Sequence, residues 1–240
     1  MLSLVFETRS YQLERMDTGD YTSAEYERCI SELSFINRFL GDVFALKKTL
    51  LREIEKENLQ NFSVLDVGAG SGEILRTIAK FGRKQKRKPN LCGLELNARS
   101  SRAILEESKN YVEISAVRGN ALGLPFADNA FDYAICTLFT HHFMDQSVVE
   151  ILREMARVSK RKIFVVDLHR HKTAYSLYKI FCAAFGISDF VRGDGSLSIL
   201  RAFKSDELEK LAAEANLPEI KVERHFPFRL VLQANANRSK

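Results

Sequence analysis

Apolar residues along this chain follow two alternating rhythms. Short, dense runs rich in aliphatic and β-branched residues read as strands: Val64–Val67, Asn90–Leu96, Tyr111–Val117, Asn129–Phe139 and Lys162–Val166. Between them, apolar residues recur every three or four positions, as on one face of a helix. Ile74, Leu75, Ile78 and Ala79 form one such stripe and Gly82 stands where a stop is wanted. A second helix follows the cap at Asn97 (about 98–109), and a third follows Asp145 with Val148, Val149, Leu152, Met155 and Ala156. A fourth follows Ser205 with Leu208, Leu211, Ala212 and Ala215. Two closing strands, about 219–226 and 228–233, are split by Pro227. Strand and helix in this alternation predict a doubly wound, mostly parallel sheet of seven strands, with ligands at the carboxyl ends of the strands.

Two stretches stand outside that rhythm. Ahead of the first strand, Thr22 and Glu25 have the spacing of a capping box. Behind it Cys29, Ile30, Leu33, Ile36 and Leu40 predict a helix up to Gly41, and Val43, Leu46, Leu50, Leu51 and Ile54 a second. Residues 1–58 therefore read as an N-terminal helical cap and 59–240 as the main domain; residues 1–21 carry no pattern. The other stretch, about 171–203, is a helical insertion after the fifth strand. Its Tyr175, Tyr178, Ile180, Phe181, Phe185 and Phe190 suit a lid that gives a ligand an aromatic wall, with Val191–Gly195 as a flexible joint.

Composition changes this picture little. Among 240 residues, 36 Lys and Arg against 31 Asp and Glu give a net charge of +5, and five of the basic side chains lie in one run, Arg83–Lys88. A solvated loop is the plain reading of that run and a polyanion patch the sharper one. Cys29, Cys92, Cys136 and Cys182 are scattered singly, which argues against a zinc site or a disulfide framework and for a reducing, cytoplasmic setting. No metal site is expected. No apolar run reaches the roughly 18 residues of a membrane span, and Met1–Phe6 is too short for a signal peptide.

The chemistry gathers on the turn after the first strand. Gly68, Gly70 and Gly72 follow Asp66 in the pattern acidic-x-G-x-G-x-G, and Glu73 stands where the dinucleotide fingerprint needs glycine. Glycines let a ligand approach the backbone, and the helix that follows offers free N–H groups. This pattern resembles motif I of the class I S-adenosylmethionine-dependent methyltransferases. The likeness extends over about residues 60–170 to the Phe131-Asp132 pair on the fourth strand, in the broad group that includes the ubiquinone and menaquinone enzymes. A further likeness, in Phe139–Phe143, Asp167–Arg170 and Phe226–Arg229, is to bacterial methyltransferases of polyketide-derived phenolic lipids.

The resemblance implies a Rossmann-like fold and S-adenosylmethionine as cofactor, with S-adenosylhomocysteine as product. It implies that Asp66, Gly68, Ala69, Gly70 and Gly72 cradle the cofactor and that Glu95, with Leu96, accepts the ribose hydroxyls. Asn120, Ala121 and Leu122 would face the adenine, Asn120 standing where the family has an acidic residue. Thr137 and Leu138 would line the pocket, and Arg38 could reach a carboxylate. His141, His142 and His169 are the candidate bases, since imidazole titrates near neutral pH. Two adjacent side chains point in different directions, so at most one of His141 and His142 is expected to face the pocket, and His142 is preferred. The expected partner is a small apolar, phenolic or quinone-like acceptor taking the methyl on oxygen or carbon. An RNA or protein methyltransferase and a non-catalytic cofactor-binding scaffold are the alternatives. The D/N-P-P-Y/F motif for exocyclic amines is absent, its place reading Cys136-Thr137-Leu138-Phe139, and a nicotinamide oxidoreductase is disfavoured by Glu73. Oligomeric state is not legible.

Overall fold

The structure is a computed structural model that describes residues 6–37 and 41–236. A short α1 (Arg15–Thr18) and a longer α2 (Ser23–Asn37) lead into α3 (Asp42–Leu46), a π-helical turn (Lys47–Leu51) and α4 (Arg52–Lys56). Then β1 (Asn61–Val67), α5 (Glu73–Lys84), β2 (Lys88–Glu95), α6 (Ala98–Glu107), β3 (Ile114–Arg118) and β4 (Phe131–Thr137) alternate. A 3₁₀ turn (Thr140–His142), α7 (Asp145–Val158) and β5 (Ser159–Leu168) follow. The chain closes with α8 (Lys172–Ala184), α9 (Asp189–Arg201), α10 (Ser205–Glu214), β6 (Lys221–His225) and β7 (Arg229–Asn235).

The seven strands form one sheet in the order β3-β2-β1-β4-β5-β7-β6, parallel except for β7. Both faces are covered, which is why the strands read as nearly continuous apolar runs. Along β1 the two-residue period is plain: Phe62 and Val64 pack with Leu50, Ile54, Leu75 and Ile78, while Leu65 and Val67 pack with Val148, Leu152 and Met155 on the other face. The strand order reverses direction between β1 and β4. At such a switch point adjacent loops leave in opposite directions and open a crevice at the carboxyl ends.

A further apolar cluster lies beyond that crevice. Cys29 and Ile36 of α2 pack with Ala174, Tyr178 and Cys182 of α8 and with Phe190, Val191 and Ile199 of α9. The expectation of a flexible joint at Val191–Gly195 is corrected here, because these residues lie inside α9. Gly195 serves close packing: a Cβ there would sit 2.1 Å from the Tyr178 hydroxyl, which donates to the Val191 carbonyl oxygen at 2.7 Å. The third strand begins at Ile114, later than the Tyr111 predicted, because Tyr111 belongs to the turn whose carbonyl accepts the Ile114 N–H. Arg38 and Leu40 lie outside the described residues. Among those described, no helix is long and apolar enough to cross a membrane.

Candidate active site

The turn after β1 shapes the first half of the site. Gly68 has φ +73°, and a Cβ there would meet the Phe139 ring at 2.3 Å, so only glycine lets that ring close over the turn. The turn borders a cavity of about 480 Å³ walled by Tyr26, Ile30 and Leu33 of α2, Arg99 and Ala103 of α6, and Asp66, Ala69, Gly70, Thr137 and Leu138. Glu95, at the end of β2, accepts the Gly70 N–H at 2.6 Å. Burial pushes its carboxyl pKa up, and the backbone N–H groups of Gly70 and Leu96 pull it back. Asp66 is 1% exposed, and neither of its carboxylate oxygens has a hydrogen-bond partner; the Thr137 hydroxyl is equally unpartnered. Burial, with Glu95 adding repulsion, pushes the Asp66 carboxyl up to about 8. An orphaned carboxyl beside a cavity marks a place for a cationic donor.

A second cavity, of about 430 Å³, opens from Leu33 and Leu138, which line both. Its walls are mostly apolar, with Met16, Cys29, Ile36, Leu177, Phe181 and Phe228 among them. Its polar residues include Glu14, His141, His142 and His169. Leu138, with φ +51°, turns the chain out of β4 into the 3₁₀ turn that carries the histidines. A left-handed apolar residue costs about 1–3 kcal/mol and persists where the surroundings impose it. Here the Leu138 N–H is held by the Val166 carbonyl at 2.8 Å.

Asp167, fully buried at the end of β5, organises the turn. It accepts from the Thr140 hydroxyl at 2.6 Å, the His141 N–H at 3.1 Å and the Leu168 N–H at 2.7 Å. His141 Nδ1 lies 2.7 Å from Oδ1, the oxygen that also takes the Leu168 N–H. Burial works against ionisation of Asp167, but His141, Thr140 and Leu168 together hold its carboxyl well below the usual range. Nδ1 of His141 is therefore the protonated nitrogen, and Nε2 carries the lone pair. Two buried arginines grip the same turn: Arg201 Nε donates to the His141 carbonyl at 3.1 Å, and Arg9 donates to the Phe143 carbonyl at 3.1 Å.

The other histidines differ. His142 Nδ1 sits 3.2 Å from Asp17 and 3.9 Å from Glu14. His169 is pushed down to about 4 by burial, helped by the basic side chains Arg224, Arg170 and Lys204 and by the neighbouring His171, so it is neutral at pH 7. The expectation that only one of His141 and His142 faces the pocket is corrected: both line it, with ring centroids 4.2 Å apart. They lie on a 3₁₀ turn, where successive side chains diverge by about 120° rather than the 180° of a strand.

Of the predicted cofactor residues, Asp66, Gly68, Ala69, Gly70, Thr137 and Leu138 share the first cavity. Gly72 caps α5 behind it. Leu96 is 64% exposed, and Asn120, Ala121 and Leu122 form a turn off that wall, with the Asn120 side chain accepting the Leu122 N–H at 3.0 Å. Sequence reasoning missed Glu14, Asp17, Arg9, Asp194 and Arg201. Residues 1–21, which hold Arg9, Glu14 and Asp17, carry no apolar period, and their charged share is about the chain's own, so no local signal singles them out.

Comparison with known proteins agrees with this geometry. Residues 64–162 match the methyltransferase domain family. The chain is 30% identical over 98 residues to demethylmenaquinone methyltransferase of Bacillus licheniformis, covering 41% of this chain and 40% of that protein. It is 33% identical over 100 residues to methyltransferase phqN of Penicillium fellutanum, covering 40% and 28%. It thus spans less than half the length of these curated relatives. Magnesium protoporphyrin IX methyltransferase of Synechocystis PCC 6803, solved with bound S-adenosylhomocysteine, superimposes with a TM-score of 0.62 at 13% identity over 90% of this chain and 95% of that one. Over residues 64–162 the chain therefore resembles a methyltransferase domain. Its fold is the one shared with solved S-adenosylmethionine-dependent methyltransferases.

Proposed function

We propose that this chain transfers the methyl group of S-adenosylmethionine to a small, mainly apolar acceptor, phenolic or quinone-like, whose reacting end sits beside His141. The observation that carries the reading is the junction of the two cavities. The more polar of the two, at the glycine turn, and a strongly apolar one ending in histidines and carboxylates meet at Leu33 and Leu138. One group in each, back to back, is the arrangement a two-substrate transfer needs.

The residues present fit the cofactor. The unpartnered Asp66 carboxyl and Thr137 hydroxyl suit an α-ammonium group, and Glu95 suits ribose hydroxyls. When bound, the cofactor supplies an electrophilic methyl group on a sulfonium sulfur. The protein's part is to hold both partners in line, to exclude water with α2, α8 and α9, and to present the His141 Nε2 lone pair to the acceptor. The basic run supports this reading by its position. It lies around the amino end of β2, on the opposite edge of the sheet, and Arg83 is engaged by Glu113 and the Asn110 carbonyl.

Asp66 makes a testable pH signature. Its folded pKa of about 8 lies above its unfolded value, so between those two values the folded chain holds a proton that the unfolded chain has lost. Its contribution to stability therefore declines as pH rises across that window, and Asp66→Asn flattens the profile. An ammonium ligand pairs with the ionised form, so S-adenosylhomocysteine binding at pH 7 releases a proton, read by calorimetry in buffers of different ionisation enthalpy. Asp66→Asn weakens that binding by about 10- to 100-fold, the worth of a charge-assisted hydrogen bond, with no loss of melting temperature.

The reading itself is tested with methyl-labelled S-adenosylmethionine and a panel of alkyl phenols, hydroxyquinones, RNA and protein. Label in the phenols or quinones is the expected outcome. Label only in RNA or protein, or no binding of S-adenosylhomocysteine, overturns it.

A further inference from the structure

The polar end of the apolar cavity holds more ligating chemistry than a single base requires. One donor atom from each of Glu14, His141 and His142 lies within 4.8 Å of the others, and Glu14 and His141 are 4% and 3% exposed. Each imidazole has a carboxylate at Nδ1: Asp167 at 2.7 Å from His141 and Asp17 at 3.2 Å from His142. A carboxylate on one ring nitrogen fixes the other as a ligand, the second-sphere pattern of metal-bound histidine.

The charge balance points the same way. Three carboxylates, Glu14, Asp17 and Asp167, surround the two rings. The guanidinium that reaches them is Arg201, 4.0 Å from Glu14 and 2.9 Å from Asp17. Arg9, the other buried cation beside the turn, is paired with Asp145. Three carboxylates face one guanidinium and two imidazoles, and Glu14, Asp167, His141 and Arg201 are buried. Charge buried this way is paired or coordinates a metal.

We propose that Glu14, His141 and His142 bind one divalent transition-metal ion, whose open positions face the apolar cavity and take the oxygen of the acceptor. The inference rests on the methyl-transfer reading of that cavity. Imidazole with carboxylate suits manganese, iron, cobalt, nickel or zinc better than magnesium or calcium. With the ion in place the His141 Nε2 lone pair goes to the metal and acts on the acceptor through it: the acceptor's hydroxyl proton passes to water, the oxygen keeps its electron pair, and the ion raises the fraction of acceptor that is ionised at neutral pH.

The test uses the full chain, freed of metal with a chelator, then dialysed against Mn²⁺, Co²⁺ or Zn²⁺ and analysed for metal content. One ion per chain is expected, with visible d–d absorption for Co²⁺. Glu14→Gln and His142→Ala should weaken uptake by at least about tenfold, and Asp17→Asn by about 10- to 100-fold. Affinity for S-adenosylhomocysteine, bound at the glycine turn, should be unchanged in all three and shows that each variant is folded. Turnover should fall at least about tenfold on chelation and return with added ion. A folded chain that takes up no ion, or whose Glu14→Gln variant binds as well as the parent, overturns the site. Metal uptake with turnover indifferent to its removal overturns the role assigned to the ion. Should the variants fail to bind S-adenosylhomocysteine, the Co²⁺ spectrum of the parent decides: absence of d–d bands refutes the site. Loss of S-adenosylhomocysteine binding by the parent itself is a failure of the methyl-transfer reading instead.

Discussion

His141→Ala should lower turnover by about 10²- to 10⁴-fold, the range in which a positioned proton acceptor or its equivalent contributes. The variant should bind S-adenosylhomocysteine as tightly as the parent, because the glycine turn does not touch the ring. The size of the effect follows from how much of the structure is devoted to this side chain. Asp167, Arg9 and Arg201 all bond the turn that carries it, and the Leu168 N–H holds Asp167 in place. Asp167 fixes which nitrogen is free. His169 lines the same cavity but is kept neutral by burial, with nearby basic side chains adding to it, and has no carboxylate beside it among its contacts, so His169→Ala should cost far less. Single-turnover measurement with labelled cofactor checks both. An unchanged rate for His141→Ala would remove it from the chemistry.

That choice of histidine illustrates what the sequence carries and what it does not. Glycine spacing, Asp66 and the alternation of strands and helices are local signals, and each states its own conformation. The seven-stranded, mostly parallel sheet follows from them, as does the convergence of Asp66, Gly68, Gly70, Thr137 and Leu138 on one crevice. The preference for His141 over His142, the reverse of the sequence-based expectation, depends on Asp167, 26 residues further on, whose bond to the ring is a tertiary fact. The acidic partners Glu14 and Asp17 lie more than a hundred residues away from the histidines, in a stretch with no apolar period. Their place is fixed by hydrogen bonds: Asp194 accepts the Arg15 and Met16 N–H groups at 2.9 and 2.8 Å, and Arg201 donates to the Gln12 carbonyl at 2.9 Å. Hydrophobic periodicity is blind to segments held in this way. The glycines of α9 mislead for a related reason. Gly193 and Gly195 look like a joint, but the close approach of Tyr178 is what requires the second of them.

The other large effect is on stability. Arg229→Met should destabilise the fold by about 3–5 kcal/mol, which at roughly 2–4 °C per kcal/mol for a chain of this size is a fall of about 6–20 °C in melting temperature. Arg229, at the start of β7, is 2% exposed, and its guanidinium pairs with Asp42, 5% exposed, at the start of α3. Asp42 lines the cavity at the glycine turn and Arg229 the apolar one, so the pair stands in the partition between them. Removing the arginine leaves a carboxylate buried without its counter-charge, and that uncompensated charge accounts for most of the loss. Replacing both ends, Asp42→Leu with Arg229→Met, should therefore recover most of it, because two apolar side chains of similar volume need no partner. Chemical denaturation of the parent, both single variants and the double variant gives the coupling directly. Additive losses would mean that the two groups do not meet as described. If stability returns in the double variant and turnover does not, the pair also shapes the passage between cofactor and acceptor, a part in the chemistry separate from its part in the fold.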